Sequence, residues 1–204
     1  KINNNTKAIV CVHHAGWPCE MDEIMNIARE FNLRVIEDCA QAHGAQYKGK
    51  PVGSIGDIGC WSFCQDKIMT TGGEGGMITT SNNSLWKKVW EFKDHGKSYE
   101  SVYKVNPSKG YRFLHESFGT NWRMTEIQAV IGRIQLTRII DWHDKRLKNA
   151  HFIWDAARKC KGLRVPDIYE YIDHAAYKCY VFVEQNELKN NWSRDRIIEE
   201  INLL

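Results

Sequence analysis

Among the 204 residues no apolar run approaches the roughly 20 that a helix needs to cross a bilayer. No signal peptide is visible either. Both absences lead to the expectation of a cytoplasmic protein without a membrane partner. No dense basic stripe occurs. Lys and Arg total 28 against 25 Asp and Glu, and the bases alternate with acids, as in KKVWEFKDHGK over 87–97. That pattern reads as a solvated face and excludes nucleic acid as the expected partner. The seven cysteines are odd in number, form no CxxC pair and sit partly in apolar runs, where Cys packs as a small hydrophobe. A disulfide framework is excluded in favour of a reducing compartment. His13 and His14 adjoin but lack further ligands at metal spacing, so no metal is expected. Neither G-x-G-x-x-G nor G-x-x-x-x-G-K-[ST] occurs, nor any internal repeat.

What is present describes a globular chain, 43% hydrophobic and 26% charged. AIVCV at 8–12 is a short continuous apolar run, as in a strand buried on both faces. Met21, Ile24, Ala28 and Phe31 recur at helical spacing, with Asp22 and Glu23 placed favourably in the first turn. LRVI at 33–36 is the next strand, so 8–36 reads as a strand–helix–strand unit with parallel strands. Further strands are expected at 59–63, 76–80 and 177–183, and helices at 84–92 and 192–204, the last with Ser193 as N-cap. From Thr125 a helical pattern continues to about residue 159, on the order of 50 Å if unbroken. Residues 94–120, rich in Gly, Ser, Lys and aromatics, read as a long functional loop.

The stretch SFCQDKIMTTGGEGG (62–76) sets a lysine before four glycines. A phosphate-binding loop needs the reverse order, with the glycines ahead and a helix behind. Here the glycines supply a turn into the next strand. Lys67 is then either a solvated loop lysine or one that does covalent chemistry. The covalent reading asks for pyridoxal phosphate and its accessories. An acid must keep the pyridine nitrogen protonated, and Asp38 ends a strand, where open α/β sheets place ligands. Gln41 is placed to reach the ring's 3′-oxygen and Ser62 to hold the phosphate. Each has a plainer reading, Asp38 as a cap and His13 and His43 as satisfied structural histidines.

EDCAQAHGA (37–45), GDIGCWSF (56–63), the Ser62 to Lys67 spacing, GGEGGMITT (72–80), FGTNWRMTEIQAVIGRIQL (118–136) and VCVHHAGWPCEMDEI (10–24) together resemble the DegT/DnrJ/EryC1/StrS aminotransferases. The resemblance covers nearly the whole sequence. It implies an α/β fold, that of fold type I (aspartate aminotransferase-like) pyridoxal-phosphate enzymes. A mostly parallel sheet forms the large domain, and a small α+β C-terminal domain begins. The expected division is 1–140 for the cofactor domain, 141–160 for a connecting helix and 161–204 for the small domain. Lys67 is then the catalytic lysine, binding cofactor with Asp38, Gln41 and Ser62. Asn121 reaches the phosphate in a neighbouring subunit of a homodimer, with Arg123 as helper.

The implied reaction moves an amino group, generally from L-glutamate, to a keto-sugar of a nucleoside diphosphate for surface polysaccharides and related sugars. The alternatives are a non-catalytic or regulatory homologue, against which the presence of Lys67 argues, and a truncated, inactive fragment. Relatives are nearly twice as long, so the sequence is expected to be a piece of a larger protein. Cys64, Gln65 and Asp66 depart from the usual residues before that lysine, and the segment between 94 and 118 is expected to tune the acceptor.

Overall fold

The computed structural model describes residues 1–103 and 115–203. The first strand, β1 (Ala8–Val12), leads through a single-turn 3-10 helix at His14–Gly16 into α1 (Met21–Glu30). Strand β2 (Arg34–Asp38) follows, then a hairpin of β3 (Gln46–Tyr47) and β4 (Lys50–Pro51). Next come β5 (Ile58–Ser62), β6 (Gly76–Thr79), α2 (Asn83–Lys93) and α3 (Tyr99–Tyr103). The remainder is α4 (Glu126–Leu136), α5 (Ile139–Arg158), β7 (Leu163–Arg164), β8 (Ile172–Asp173), β9 (Phe182–Val183) and α6 (Arg194–Asn202).

The main sheet has the order β1-β2-β5-β6. The first three strands are parallel, and β6 returns antiparallel to β5. Helix α1 is the crossover between β1 and β2. Met21 and Ala28 on its inner face meet Cys11 and Val35 of the sheet in one core. A second core gathers Cys39, Ala42, Val52 and Ile68 with Ala175 and Tyr177 from near the carboxyl end. A third sets Ala150, Trp154 and Ala157 of α5 against Val165 and Ala176. The hairpin turn places Lys48 and Gly49 at φ 50° and 74°, the paired positive φ values of a two-residue turn that matches strand twist.

Three sequence expectations change. The run at 8–12 is not buried on both faces, because β1 is an edge strand with Val10 and Val12 63% and 46% exposed. The pattern from Thr125 to about residue 159 is not one helix but two. The Thr137 hydroxyl donates to the Ile134 carbonyl at 2.8 Å, and the Arg138 amide turns to Gln135 instead. A side chain that takes over a helix carbonyl bends or ends the helix, so α5 spans 20 residues. The strand expected at 177–183 is confined to Phe182–Val183. The Ala175 and Lys178 amides are drawn instead to the carbonyls of Gly16 and Ala15. The middle of the expected loop at 94–120 lies outside the described residues.

Residues 63–75 form a loop closed on itself. The Phe63 amide donates to the Gly75 carbonyl, and the Thr71 amide and Thr70 hydroxyl donate to the Phe63 carbonyl. The glycine run makes the closure, with Gly72 and Gly73 at positive φ. A Cβ on Gly75 would overlap the hydroxyl of buried Thr71. Gly75→Ala should therefore destabilise the protein by about 1–3 kcal/mol through overpacking, read as a lower urea midpoint. An unchanged midpoint would show that the loop yields.

Large apolar side chains remain uncovered on and next to α4. Ile127 and Val130 of α4 are 76% and 55% exposed, and Trp122 just before it is 70% exposed. Among the described residues no helix is long and apolar enough to cross a membrane.

Candidate active site

Successive strand residues face opposite sides, and this separates the two acids that end β2. Val35 and Glu37 point into the core, while Ile36 and Asp38 point the other way. Glu37 is wholly buried. Its carboxylate accepts the amides of Gly53, Ile55 and Gly56 at 2.8, 2.8 and 2.6 Å. It also accepts from the His13 ring at 3.1 Å. Burial works to raise its pKa, but His13 and the three amides outweigh burial and hold the carboxyl below its usual range. His13 Nδ1 accepts the Cys19 amide at 3.0 Å, so Nε2 carries the proton shared with Glu37. His13, Glu37 and Cys39 stand close enough to suggest a metal centre. The lone pairs of the histidine and the acid are already engaged, and the pair instead ties the 53–56 turn to the sheet.

Asp38, half-buried, lies at the carboxyl edge of the parallel strands. It pairs with Val12 of β1 and Cys60 of β5, and Ser62 ends β5 two residues further along. Asp38 Oδ1 accepts the Ala40 amide at 3.0 Å, and among the described residues Oδ2 has no hydrogen-bond donor. Gln41 Oε1 accepts the Ala15 amide at 2.7 Å. That bond fixes which way the side-chain amide faces and leaves its NH₂ as a donor. Among the described residues Ser62 Oγ takes only a long contact, 3.4 Å, from the Cys64 amide, and its own proton has no acceptor.

Lys67 follows in a turn closed by its amide on the Cys64 carbonyl at 3.1 Å. Its ammonium makes no ion pair with any described residue and lies 5.0 Å from the centroid of the Tyr177 ring. Nearby, His43 is 4% exposed, and neither ring nitrogen has a hydrogen-bond partner among the described residues. Its ring sits against Trp61 and Phe63 at centroid distances of 5.3 and 5.9 Å. Burial, then the Lys67 charge, pushes its pKa down to about 4, so it is neutral at physiological pH.

Of the residues singled out from sequence, Asp38, Gln41, Ser62 and Lys67 share this edge of the sheet. Asn121 does not join them within the chain. It is exposed, bridged to Asp94 across a short antiparallel contact, and hydrogen-bonds to none of those four. Arg123 is engaged by Asp94 at 2.6 Å, which Lys97 also approaches at 3.1 Å. Sequence reading missed the Tyr177 hydroxyl, which donates to Asp66 at 2.6 Å. The only signal was the unusual acid before the lysine.

The arrangement can be compared with known proteins. The family model described as the DegT/DnrJ/EryC1/StrS aminotransferase family matches residues 1–203. The X-ray structure of the aminotransferase from Psychrobacter cryohalolentis superposes with a TM-score of 0.95 at 62% identity, over 98% of this chain and 53% of that one. GDP-perosamine synthase from Escherichia coli O157:H7 is 44% identical over 146 residues, 72% of this chain and 37% of that protein. Spore coat polysaccharide biosynthesis protein SpsC from Bacillus subtilis is 34% identical over 197 residues, 97% of this chain and 50% of that protein. The chain thus spans half or less of the length of these two relatives. With the match covering all but one of its residues, the chain belongs to the DegT/DnrJ/EryC1/StrS aminotransferase family.

Proposed function

We propose that the protein carrying this chain transfers an amino group from L-glutamate to a keto-sugar of a nucleoside diphosphate, using pyridoxal 5′-phosphate on Lys67. One observation carries the reading. At the carboxyl edge of β1, β2 and β5, each accessory side chain keeps the function the cofactor needs. Asp38 keeps an acceptor, Gln41 a donor, Ser62 a hydroxyl proton, and Lys67 an unpaired amine. Buried His43, whose ring nitrogens make no hydrogen bond of standard geometry among the described residues, fits a neighbourhood completed by a polar group. The names of relatives support the substrate class. Besides the perosamine synthase they include a UDP-N-acetyl-3-dehydro-glucosamine aminotransferase and a dTDP-amino-sugar transaminase.

In this site Asp38 Oδ2 would accept the pyridine N–H and keep it protonated. Gln41 would donate to the 3′-oxygen and Ser62 to the phosphate. The cofactor, when bound, supplies the electron sink that makes the substrate C–H bond acidic. Lys67 Nζ would bond the cofactor at rest and, once released, carry the proton from substrate carbon to cofactor carbon. The uncovered apolar side chains around Trp122 and α4 suit burial against a second copy in a homodimer, where Asn121 would serve the neighbouring site. Residues 1–140 would then form the cofactor domain, 141–160 the connecting helix and 161–204 the start of the small domain, in a cytoplasmic enzyme.

In the full-length protein, borohydride reduction after loading with pyridoxal phosphate should fix the cofactor on the peptide containing Lys67, read by mass spectrometry. Glutamate added before the reductant should convert the cofactor to its amine form and abolish the labelling. Label on another lysine, or none on folded, loaded protein, overturns the reading.

A further inference from the structure

Tyr177 lies 110 residues after Lys67 in sequence, yet its ring faces the lysine ammonium. The segment that brings it there is anchored from several sides. The Ala175 amide donates to the Gly16 carbonyl at 2.9 Å and the Lys178 amide to the Ala15 carbonyl at 3.1 Å. Arg146 of α5 donates to the carbonyls of Ala176 and Tyr177 at 3.2 and 3.1 Å. Tyr177 is 7% exposed and packs in the core that holds Ile68. Its hydroxyl, in turn, donates to Asp66 Oδ2 at 2.6 Å, the short distance expected for an O–H donor on a carboxylate. The electrostatics of the pair agree with that assignment. The hydrogen bond to Asp66 pushes the phenol up to about 12, and the bond from Tyr177 holds Asp66 below its usual range. The pair is therefore phenol and carboxylate throughout the neutral range.

Asp66 adjoins Lys67 in the turn closed by the Lys67 amide. The phenol–carboxylate bond therefore fixes the peptide that carries the lysine, and the ring limits where a flexible four-carbon side chain can place its amine. Lys178 approaches the same ring, 4.8 Å from its centroid. We propose that Tyr177 and Asp66 form a latch that positions the Lys67 amine, joining the anchored carboxyl-terminal segment to the reactive turn. The inference rests on the reading of Lys67 as the cofactor lysine. Both latch members are positioning residues.

The test uses full-length protein stripped of cofactor and follows two quantities. One is the rate at which trinitrobenzenesulfonate modifies Lys67, read on its peptide. The other is the rate at which added pyridoxal phosphate becomes reducible onto Lys67. Tyr177→Phe keeps the ring and removes the bond, and Asp66→Ala removes it from an exposed side chain. Each should change the trinitrophenylation rate several-fold and slow capture by about tenfold, since small misplacements of a reacting atom are costly. Asp66→Asn, whose amide oxygen still accepts the phenol proton, should stay within about threefold of wild type. The double variant Tyr177→Phe/Asp66→Ala should be no slower than either single one. Wild-type rates of both kinds in Tyr177→Phe and Asp66→Ala overturn the latch. If Tyr177→Phe does not fold, Asp66→Ala decides alone. If wild type captures no cofactor on Lys67, the reading of the site falls. The latch is then judged on trinitrophenylation, where unchanged rates overturn it.

Discussion

Lys67→Arg in the full-length protein should fold and retain cofactor noncovalently, yet lose turnover by about 10³-fold. The substitution is chosen because it keeps what a solvated or structural lysine would supply. Arginine preserves the positive charge beside the Tyr177 ring, and guanidinium stacks well on aromatic faces. It cannot give up its proton at accessible pH, so it neither bonds a carbonyl carbon nor ferries a proton between two carbons. Among the described residues no ion pair involves Lys67, whose ammonium faces the Tyr177 ring, so replacing it breaks no salt bridge among them. The measurement is a single-turnover reaction with glutamate, followed by the conversion of bound cofactor to its amine form. Activity within tenfold of wild type would leave Lys67 a bystander.

Glu37→Ala should lower the unfolding free energy by roughly 3–5 kcal/mol, the size expected when one partner of a buried ionic network is removed. Three backbone amides and the His13 ring converge on this one carboxylate. Among the described residues the three amides have no other acceptor, and each buried donor left unpaired costs about 1–3 kcal/mol, although such costs do not sum. Urea unfolding of the full-length protein measures the loss, and a change under 1 kcal/mol would mean that water replaces the carboxylate. The pH dependence carries the same signature. The Glu37 carboxyl titrates lower in the folded protein than in the unfolded chain. Its stabilisation is thus complete above the unfolded value of about 4.3 and is lost as pH falls through the folded one. Wild type should shed stability in that acid window, and Glu37→Ala should lack that share of the fall.

The alternation of apolar and polar positions carried most of the large-scale organisation. The apolar run at 8–12 became the edge strand β1, the strand expected at 59–63 became β5 in the interior of the sheet, and the spacing of Met21, Ile24 and Ala28 became the crossover helix. Local hydrogen-bond competition was less visible. Nothing in the apolar spacing from Ile127 to Ala150 marks Thr137 as the residue whose hydroxyl divides the helix. The segment 177–181 has strand composition but is fastened to the loop at Ala15 and Gly16 rather than to a neighbouring strand. Within the site, Asp38, Ser62 and Lys67 could be read because they lie in one short window. The phenol on Asp66 could not, because its partner stands 111 positions away and no local pattern encodes so distant a contact. The roles of the adjacent acids were also blurred in sequence. Their separation comes from the pleat, which sends Glu37 to the amides and Asp38 to the open edge.

That pleat makes β2 the least forgiving place in the chain for a change of length. One residue inserted between Arg34 and Glu37 would turn the strand's end by half its repeat. Glu37, which knits the 53–56 turn, would then face the open edge, and Asp38 would be driven among backbone amides. Length variation among homologues should therefore gather in turns such as Lys48–Gly49, while the count of residues within β2 stays constant.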